Sequence, residues 1–170
     1  TKTERAYLIG AFLGDGCSYD GFDMQVKDKE FADYVASLIS KITAKNITAK
    51  KYSRIKRNPI EIGFRVRVSN KNMKEWLEKT TKDKSVIPKF NSEKELLNFL
   101  SGFFDSEGWP EIDKKIIRAN SSNKPGLYQI QELLNNMSIR STIIQKYGRG
   151  NRSDNFTLSI QDRRSVELFY

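Results

Sequence analysis

The sequence has no histidine and one cysteine, Cys17. Without histidine there is no conventional zinc site, no Ser-His or Cys-His triad and no histidine general base. One thiol cannot close an intramolecular disulfide. No signal-peptide pattern, no apolar run of membrane-spanning length, no low-complexity segment and no flexible linker is present. On those grounds an intracellular, soluble protein with no membrane partner is expected. Acid is scarce where base is dense: from Lys41 to Lys74 there are 11 basic residues and a single acid, Glu61. Any metal chemistry would run on oxygen ligands, which suit Mg²⁺, Ca²⁺ or Mn²⁺.

What is present is basic and globular. The 170 residues are 38% hydrophobic and 30% charged, with a net charge of +9, enough chain for a sizeable core and an excess charge that favours an anionic partner. The excess is uneven: residues 1–98 hold 20 Lys and Arg against 13 acids, and residues 99–170 hold 10 against 8.

One ten-residue signature occurs twice, as YLIGAFLGDG at 7–16 and FLSGFFDSEG at 99–108. Both are apolar, and both end in an acid followed by Gly. Asp15 and Glu107 therefore hold equivalent places 92 residues apart (107 − 15). The same offset carries Ile47 onto Ile139, Leu38–Ile42 onto Ile130–Leu134, and Phe64, Val66 and Val68 onto Phe156, Leu158 and Ile160. A repeat of this kind predicts two similar halves related by a pseudo-two-fold axis, like a homodimer fused into one chain. A monomer is expected, because each signature already has its partner.

Each half reads as helix–strand–strand–helix–strand–strand–helix. The first helix spans about 4–14, with Gly16 as its stop. A hairpin turning at Asp20-Gly21 leads to a strand at 22–27. Phe31, Val35, Leu38, Ile39 and Ile42 have helical spacing over 29–44. Strands follow at 47–56 and 60–68, then a helix at 70–81. In the later strand Ile60, Ile62, Phe64, Val66 and Val68 face the expected core, and Arg65 and Arg67 face water. Lys50, Tyr52, Arg54 and Lys56 share a face of the earlier one. The second half repeats this with strands near 114–120, 142–148 and 155–161. Asn155, Thr157, Ser159 and Gln161 are its outward positions, neutral where the first half is basic. It lacks a counterpart to Lys79–Asn98.

The signatures carry the chemistry. Gly10 and Gly14, and Gly102 and Ser106, are small residues four apart, which lets two helices approach closely. An acid at a helix C-terminus is unfavourable by up to about 1 kcal/mol, and two such ends side by side repel further. Divalent cations between them would remove the conflict and support phosphodiester hydrolysis. A single apolar helix ending in Asp-Gly is ordinarily a buried helix with a surface cap; two copies at matched positions favour the metal site. Asp105 maps onto Leu13, has no symmetric partner, and is expected to serve in structural hydrogen bonding.

Leu8–Gly16 (LIGAFLGDG) and Leu100–Gly108 (LSGFFDSEG) resemble the nine-residue motif of the LAGLIDADG homing endonucleases, of the single-chain, two-motif type. The resemblance covers almost the whole chain, including the loop KSVIPKF before the second motif. It implies an α+β fold of two αββαββα halves, 1–98 (with a connecting segment about 79–98) and 99–170, whose antiparallel sheets form a saddle on double-stranded DNA. The two motif helices would pack at the centre. It implies Asp15 and Glu107 as metal-binding acids, with Gly14 and Ser106 offering backbone carbonyls. Mg²⁺ would be the cofactor for cutting both strands, with Mn²⁺ a substitute and Ca²⁺ allowing binding without cleavage. It also implies an intron or intein as the coding context.

Lys84 matches the family's basic residue near the scissile phosphate, with Lys82 as fallback. Where the family often has Gln-Lys, this chain has Val26-Lys27 with Gln25 one residue early, making Lys27 and Gln25 catalytic candidates. The same register in the second half gives Arg118-Ala119, with Lys114 or Lys115 as substitutes. The DNA-contacting candidates are Lys50, Tyr52, Arg54, Arg65 and Arg67 in the first half. In the second they are Lys146, Asn155, Thr157, Ser159 and Gln161. Two other functions stay open at this level: an RNA maturase, and a DNA-binding protein whose active site has decayed.

Overall fold

The computed structural model describes residues 1–55, 60–146 and 155–169, with the side chains of 54, 55, 60 and 61 also outside the description. The chain divides into two compact units, Thr1–Thr80 with Phe90–Ser106, and Thr81–Lys89 with Glu107–Tyr170.

In the first unit, α1 (Lys2–Leu13) starts at a capping box in which Thr1 accepts from the Glu4 N–H and the Glu4 side chain accepts from the Thr1 backbone. Every residue from Ala6 to Leu13 is buried, as a helix apolar on all sides must be. Helix α4 (Glu93–Glu107) lies against it, backbone to backbone. A Cβ on Gly10 would stand 2.1 Å from the Phe99 carbonyl oxygen, and one on Gly102 would stand 2.1 Å from that of Tyr7. The close approach expected of the small residues is therefore made at Gly10 and Gly102. Gly14 caps α1, donating its N–H to the Gly10 carbonyl at 3.2 Å. Ser106 turns its hydroxyl back to the Phe103 carbonyl at 2.9 Å.

The rest of this unit is β1 (Gly16–Cys17), β2 (Gly21–Val26), α2 (Lys29–Thr43), β3 (Lys50–Ile55), β4 (Ile60–Ser69) and α3 (Lys71–Thr81). The strands form one antiparallel sheet in the order β1-β2-β4-β3. Asp28 caps α2 by accepting the Phe31 N–H at 2.9 Å. Val35, Leu38 and Ile39 of α2 share a core with Phe22, Met24, Val66 and Val68. The expectation that Ile62 faces the core fails. Ile62 is 51% exposed, although it alternates in phase with buried Val66 and Val68. Alternation sets the face of a strand, but the buried core reaches only the far end of β4.

The second unit is β5 (Gly108–Glu111), a 3-10 turn (Ile112–Lys114), β6 (Ile116–Ser121), α5 (Lys124–Asn136), β7 (Thr142–Lys146), β8 (Asn155–Ile160) and α6 (Arg163–Phe169). Its antiparallel order is β5-β6-β8-β7. Pro110 lies on the edge strand β5, where its missing N–H costs least. Ile117, Ala119, Leu127, Ile130, Leu134, Phe156, Leu158 and Ile160 are buried.

Two sequence expectations are corrected here. Thr157 and Ser159, expected to face water, are 2% and 1% exposed. They lie on β8, an inner strand, opposite Ile144 and Thr142 of β7 and Asn120 and Arg118 of β6. Short side chains in such a row are shielded by longer neighbours. The second correction concerns register. Gln25 and Val26 pair with Arg65 and Phe64, whereas Asn120 and Ser121 pair with Thr157 and Phe156. The helix caps Asp28 and Asn123 are likewise 95 apart (123 − 28), not 92. The 3-10 turn takes up the extra residues of the second hairpin, so Asn120-Ser121-Ser122, not Arg118-Ala119, stands where the first unit has Gln25-Val26-Lys27.

Candidate functional site

Asp15 follows the Gly14 cap and is exposed. It lies on the rim of a hollow of ≈ 420 Å³ in the first unit, shared with Gln25, Lys27, Tyr52, Asp105 and Ser106. Gln25 projects from the water-facing side of β2, and Lys27 lies in the bend between β2 and the α2 cap. One cavity thus gathers three of the five candidate catalytic residues: a carboxylate, an amide and an ammonium. Asp105 has the structural role expected for it, accepting the Tyr7 hydroxyl at 2.5 Å. Burial and the neighbouring Asp105 carboxylate push the Tyr7 phenol up from its ordinary value, so it stays a neutral donor. Tyr7 also meets the ring of Tyr34 edge-on at 4.8 Å between centroids.

Glu107 ends α4, belongs to the second unit and is half-buried. Among the described residues no three Asp, Glu or Cys side chains cluster as a preformed metal cage. The donor set is one of carboxylates that are not gathered in threes. That fits Mg²⁺, which keeps several waters and takes one or two carboxylates together with substrate phosphate oxygens.

Lys84 sits in a strained loop of the second unit. Lys82, Asp83 and Lys84 have φ of 43°, 53° and 70°, each costing a non-glycine residue about 1 kcal/mol or more. Hydrogen bonds over-determine the loop. Val86 donates to the Thr81 carbonyl at 2.9 Å and Ser85 to the Lys82 carbonyl at 3.1 Å. From α5 and its cap, Asn123 donates to the Lys84 carbonyl at 2.5 Å. Gln129 accepts from the Ile87 N–H and donates to the Ser85 carbonyl, both at 2.9 Å. The backbone that carries Lys84 is thereby fixed.

The sheet faces carry the remaining candidates. Lys50, Tyr52, Arg65 and Arg67 lie on one side of the first sheet, with Tyr52 covering Gly63. The side chain of Arg54 and the whole of Lys56 are outside the described residues. Neither arginine stands alone: Asp23 grips Arg65, and Asp20 grips Arg67. The Arg67 guanidinium, with help from Ser69, holds the Asp20 carboxyl below the usual carboxylate range, and Asp23 raises Arg65. In the second sheet Lys146 and Asn155 are exposed, while Gln161 is exposed just past the end of β8. Thr157 donates to Asn120 at 2.6 Å, which draws Asn120 into the set.

Arg118, on the same face, is close to Glu111 (3.2 Å) without being aligned as a hydrogen bond. Lys114, and next Arg118, lower the Glu111 carboxyl. Asp20, Asp23, Arg118 and Asn120 had escaped sequence reasoning as face residues. The signal for Asp23 was alternation in β2, where it and Gln25 fall on the polar side; Asp20, in the turn before β2, had none.

Residues 94–170 match the model of a LAGLIDADG-like domain. An uncharacterised protein of Methanocaldococcus jannaschii is 27% identical over 98% of this chain, which spans 64% of that relative's length. The homing endonuclease I-DmoI, solved in complex with DNA and Mn, is similar in fold with a TM-score of 0.66 at 22% identity, over 99% of this chain and 94% of its own. Full-length DUF199/WhiA from Thermotoga maritima gives a TM-score of 0.71 at 16% identity, over 99% of this chain and 54% of its own.

Proposed function

From the two-motif LAGLIDADG fold that this chain has, we propose that it is a sequence-specific endonuclease that cuts both strands of double-stranded DNA with divalent metal. The observation that supports this most is the hollow at the end of α1. It gathers Asp15, Gln25 and Lys27 beside a sheet face that bears Lys50, Arg65 and Arg67. The hollow holds Asp15, Asp28 and Asp105 against one cation, Lys27; three acids would repel a phosphate by themselves, and a divalent cation among them suits a metal-assisted attack on one.

In this reading Asp15 and Glu107 are the metal-holding carboxylates, and the Gly14 and Ser106 carbonyls add neutral oxygen donors. Bound Mg²⁺ would polarise the scissile phosphate and lower the pKa of an attacking water. Lys27 and Lys84 offset the charge that builds on the phosphoryl oxygens. Gln25 orients the water by hydrogen bonding. Mn²⁺ substitutes for Mg²⁺, and Ca²⁺ supports binding alone. The reading to test against is a DNA-binding protein that does not cut.

Incubation with a randomised duplex library in Mg²⁺ and in Ca²⁺, sequencing bound and cut products, tests this. The expected result is cleavage in Mg²⁺ at one long site, abolished by Asp15→Asn or Glu107→Gln with binding retained. Selective binding with no cut in any metal would overturn the catalytic part of the proposal. No DNA selectivity, with preference for structured RNA, would replace it by the maturase reading.

A further inference from the structure

The first sheet's basic face contains an acid, Asp23 on β2, and a second, Asp20, lies in the turn just before that strand. Between Lys41 and Lys74 the chain has one acid in 34 residues (74 − 41 + 1), yet β2 and the turn before it place Asp23 and Asp20 against the arginines of β4. Arg65 donates through Nε to Asp23 Oδ1 at 2.8 Å and through Nη2 to Asp23 Oδ2. Arg67 donates through Nη2 to Asp20 Oδ2 at 2.8 Å, with its Nε 4.0 Å from Asp23. Ser69 donates to the same Asp20 oxygen at 2.7 Å. The Asp23 side chain is 19% exposed, against 37% for Arg65 and 45% for Arg67, so the carboxylate lies beneath the cations.

The exposed Arg67–Asp20 pair adds little to stability, while the bidentate, part-buried Arg65–Asp23 pair adds more. A carboxylate on a face that meets a polyanion lowers non-specific affinity. General DNA attraction does not account for these acids, and stability does not account for Asp20; both acids orient an arginine. Arg65 uses its Nε/Nη2 edge on Asp23. The Nη1/Nη2 edge then points away from Asp23 with two parallel N–H groups, the geometry that matches guanine O6 and N7.

We propose that Asp23 and Asp20 are positioning residues for base recognition, fixing Arg65 and Arg67 as pre-aimed forks that each read a guanine in the major groove. The inference rests on the DNA-binding part of the function proposed above and adds the bases read by the first sheet. Alternate residues of a strand are about 6.7 Å apart, so the two guanines lie within about two base-pair steps of each other. Fixing the forks before binding removes the rotamer cost that a free arginine would bear at the contact.

The test is binding selection on the randomised duplex, with Ca²⁺ in place of Mg²⁺. It compares the unaltered protein with Asp23→Asn, Asp20→Asn and Arg65→Lys, measures affinity for random duplex in parallel, and checks folding by thermal melting. The unaltered protein should select two close guanines in one half-site, with a wrong base at either costing about 5- to 100-fold. Arg65→Lys keeps the charge, loses the fork and should erase one of the two. Asp23→Asn should cut discrimination at that same base pair to a few-fold while affinity for random duplex holds or rises.

A folded Asp23→Asn that keeps full discrimination overturns the inference and leaves the endonuclease reading standing. If Asp23→Asn does not fold, retention of the guanine by Arg65→Lys overturns it in its place. An unaltered protein with no sequence preference overturns both readings.

Discussion

At Gly10 a carbonyl oxygen of the neighbouring helix occupies the space where a methyl group would go. Both atoms that a Cβ would strike, the Phe99 oxygen at 2.1 Å and the Phe103 nitrogen at 2.7 Å, are backbone, so nothing local can yield. Gly10→Ala should cost about 3 kcal/mol or more, the upper range for overpacking, in urea unfolding. Gly63→Ala is the contrast: its Cβ would meet the tip of the Tyr52 ring at 2.7 Å, which can swing aside, and the loss should stay under about 1 kcal/mol.

Glu4 gives a residue-scale pH prediction. Lys41 foremost, then the amino group and hydroxyl of Thr1, lower its carboxyl from 4.5 to about 2. A depressed folded-state value means stability present above 4.5 and lost as pH falls through about 2. Glu4→Gln should therefore be less stable than the parent by a constant amount at neutral pH. The two melting curves should converge as pH approaches about 2.

At the scale of elements, Asn123 does two jobs with two atoms. Its Oδ1 caps α5 by accepting the Gly126 N–H at 3.1 Å, and its Nδ2 donates to the carbonyl of Lys84 in the strained loop. Asn123→Asp keeps the cap and loses the donor. Asn123→Ala loses both and should cost about 1 to 2 kcal/mol. If the loop's purpose is to present Lys84, Asn123→Asp, which sets a carboxylate oxygen against the Lys84 carbonyl in place of the amide N–H, should cost about 1 to 3 kcal/mol and cut DNA more slowly in single-turnover assays with affinity unchanged. Equal cleavage by the aspartate variant would mean that the strained loop serves the fold alone.

For the whole molecule, charge sets the first expectation. With +9 overall, affinity for random duplex should fall linearly in a log–log plot against salt. The fall should be on the order of a thousandfold between about 50 and about 200 mM if about six phosphates are contacted. A flat salt profile in fluorescence anisotropy would mean that the basic strand faces do not meet DNA. No helix among the described residues is long and apolar enough to cross a membrane.

The sequence by itself determined the order of elements, the two signature helices and the place of their close contact. These depend on near neighbours in the chain: apolar period, caps, and small residues four apart. Asp105 as a structural hydrogen-bonder was legible for the same reason, since the repeat left it without a counterpart. What only the tertiary structure decided depends on cross-strand register and coverage.

Arg65 and Asp23 are 42 residues apart, and no local pattern pairs them; the β2–β4 register does. Ile62 is exposed and Thr157 buried because alternation assigns a face without saying what covers it. The three-residue shift that replaces Arg118-Ala119 by Asn120-Ser121-Ser122 hides inside a hairpin. An insertion there changes the numbering without disturbing the ladder on either side.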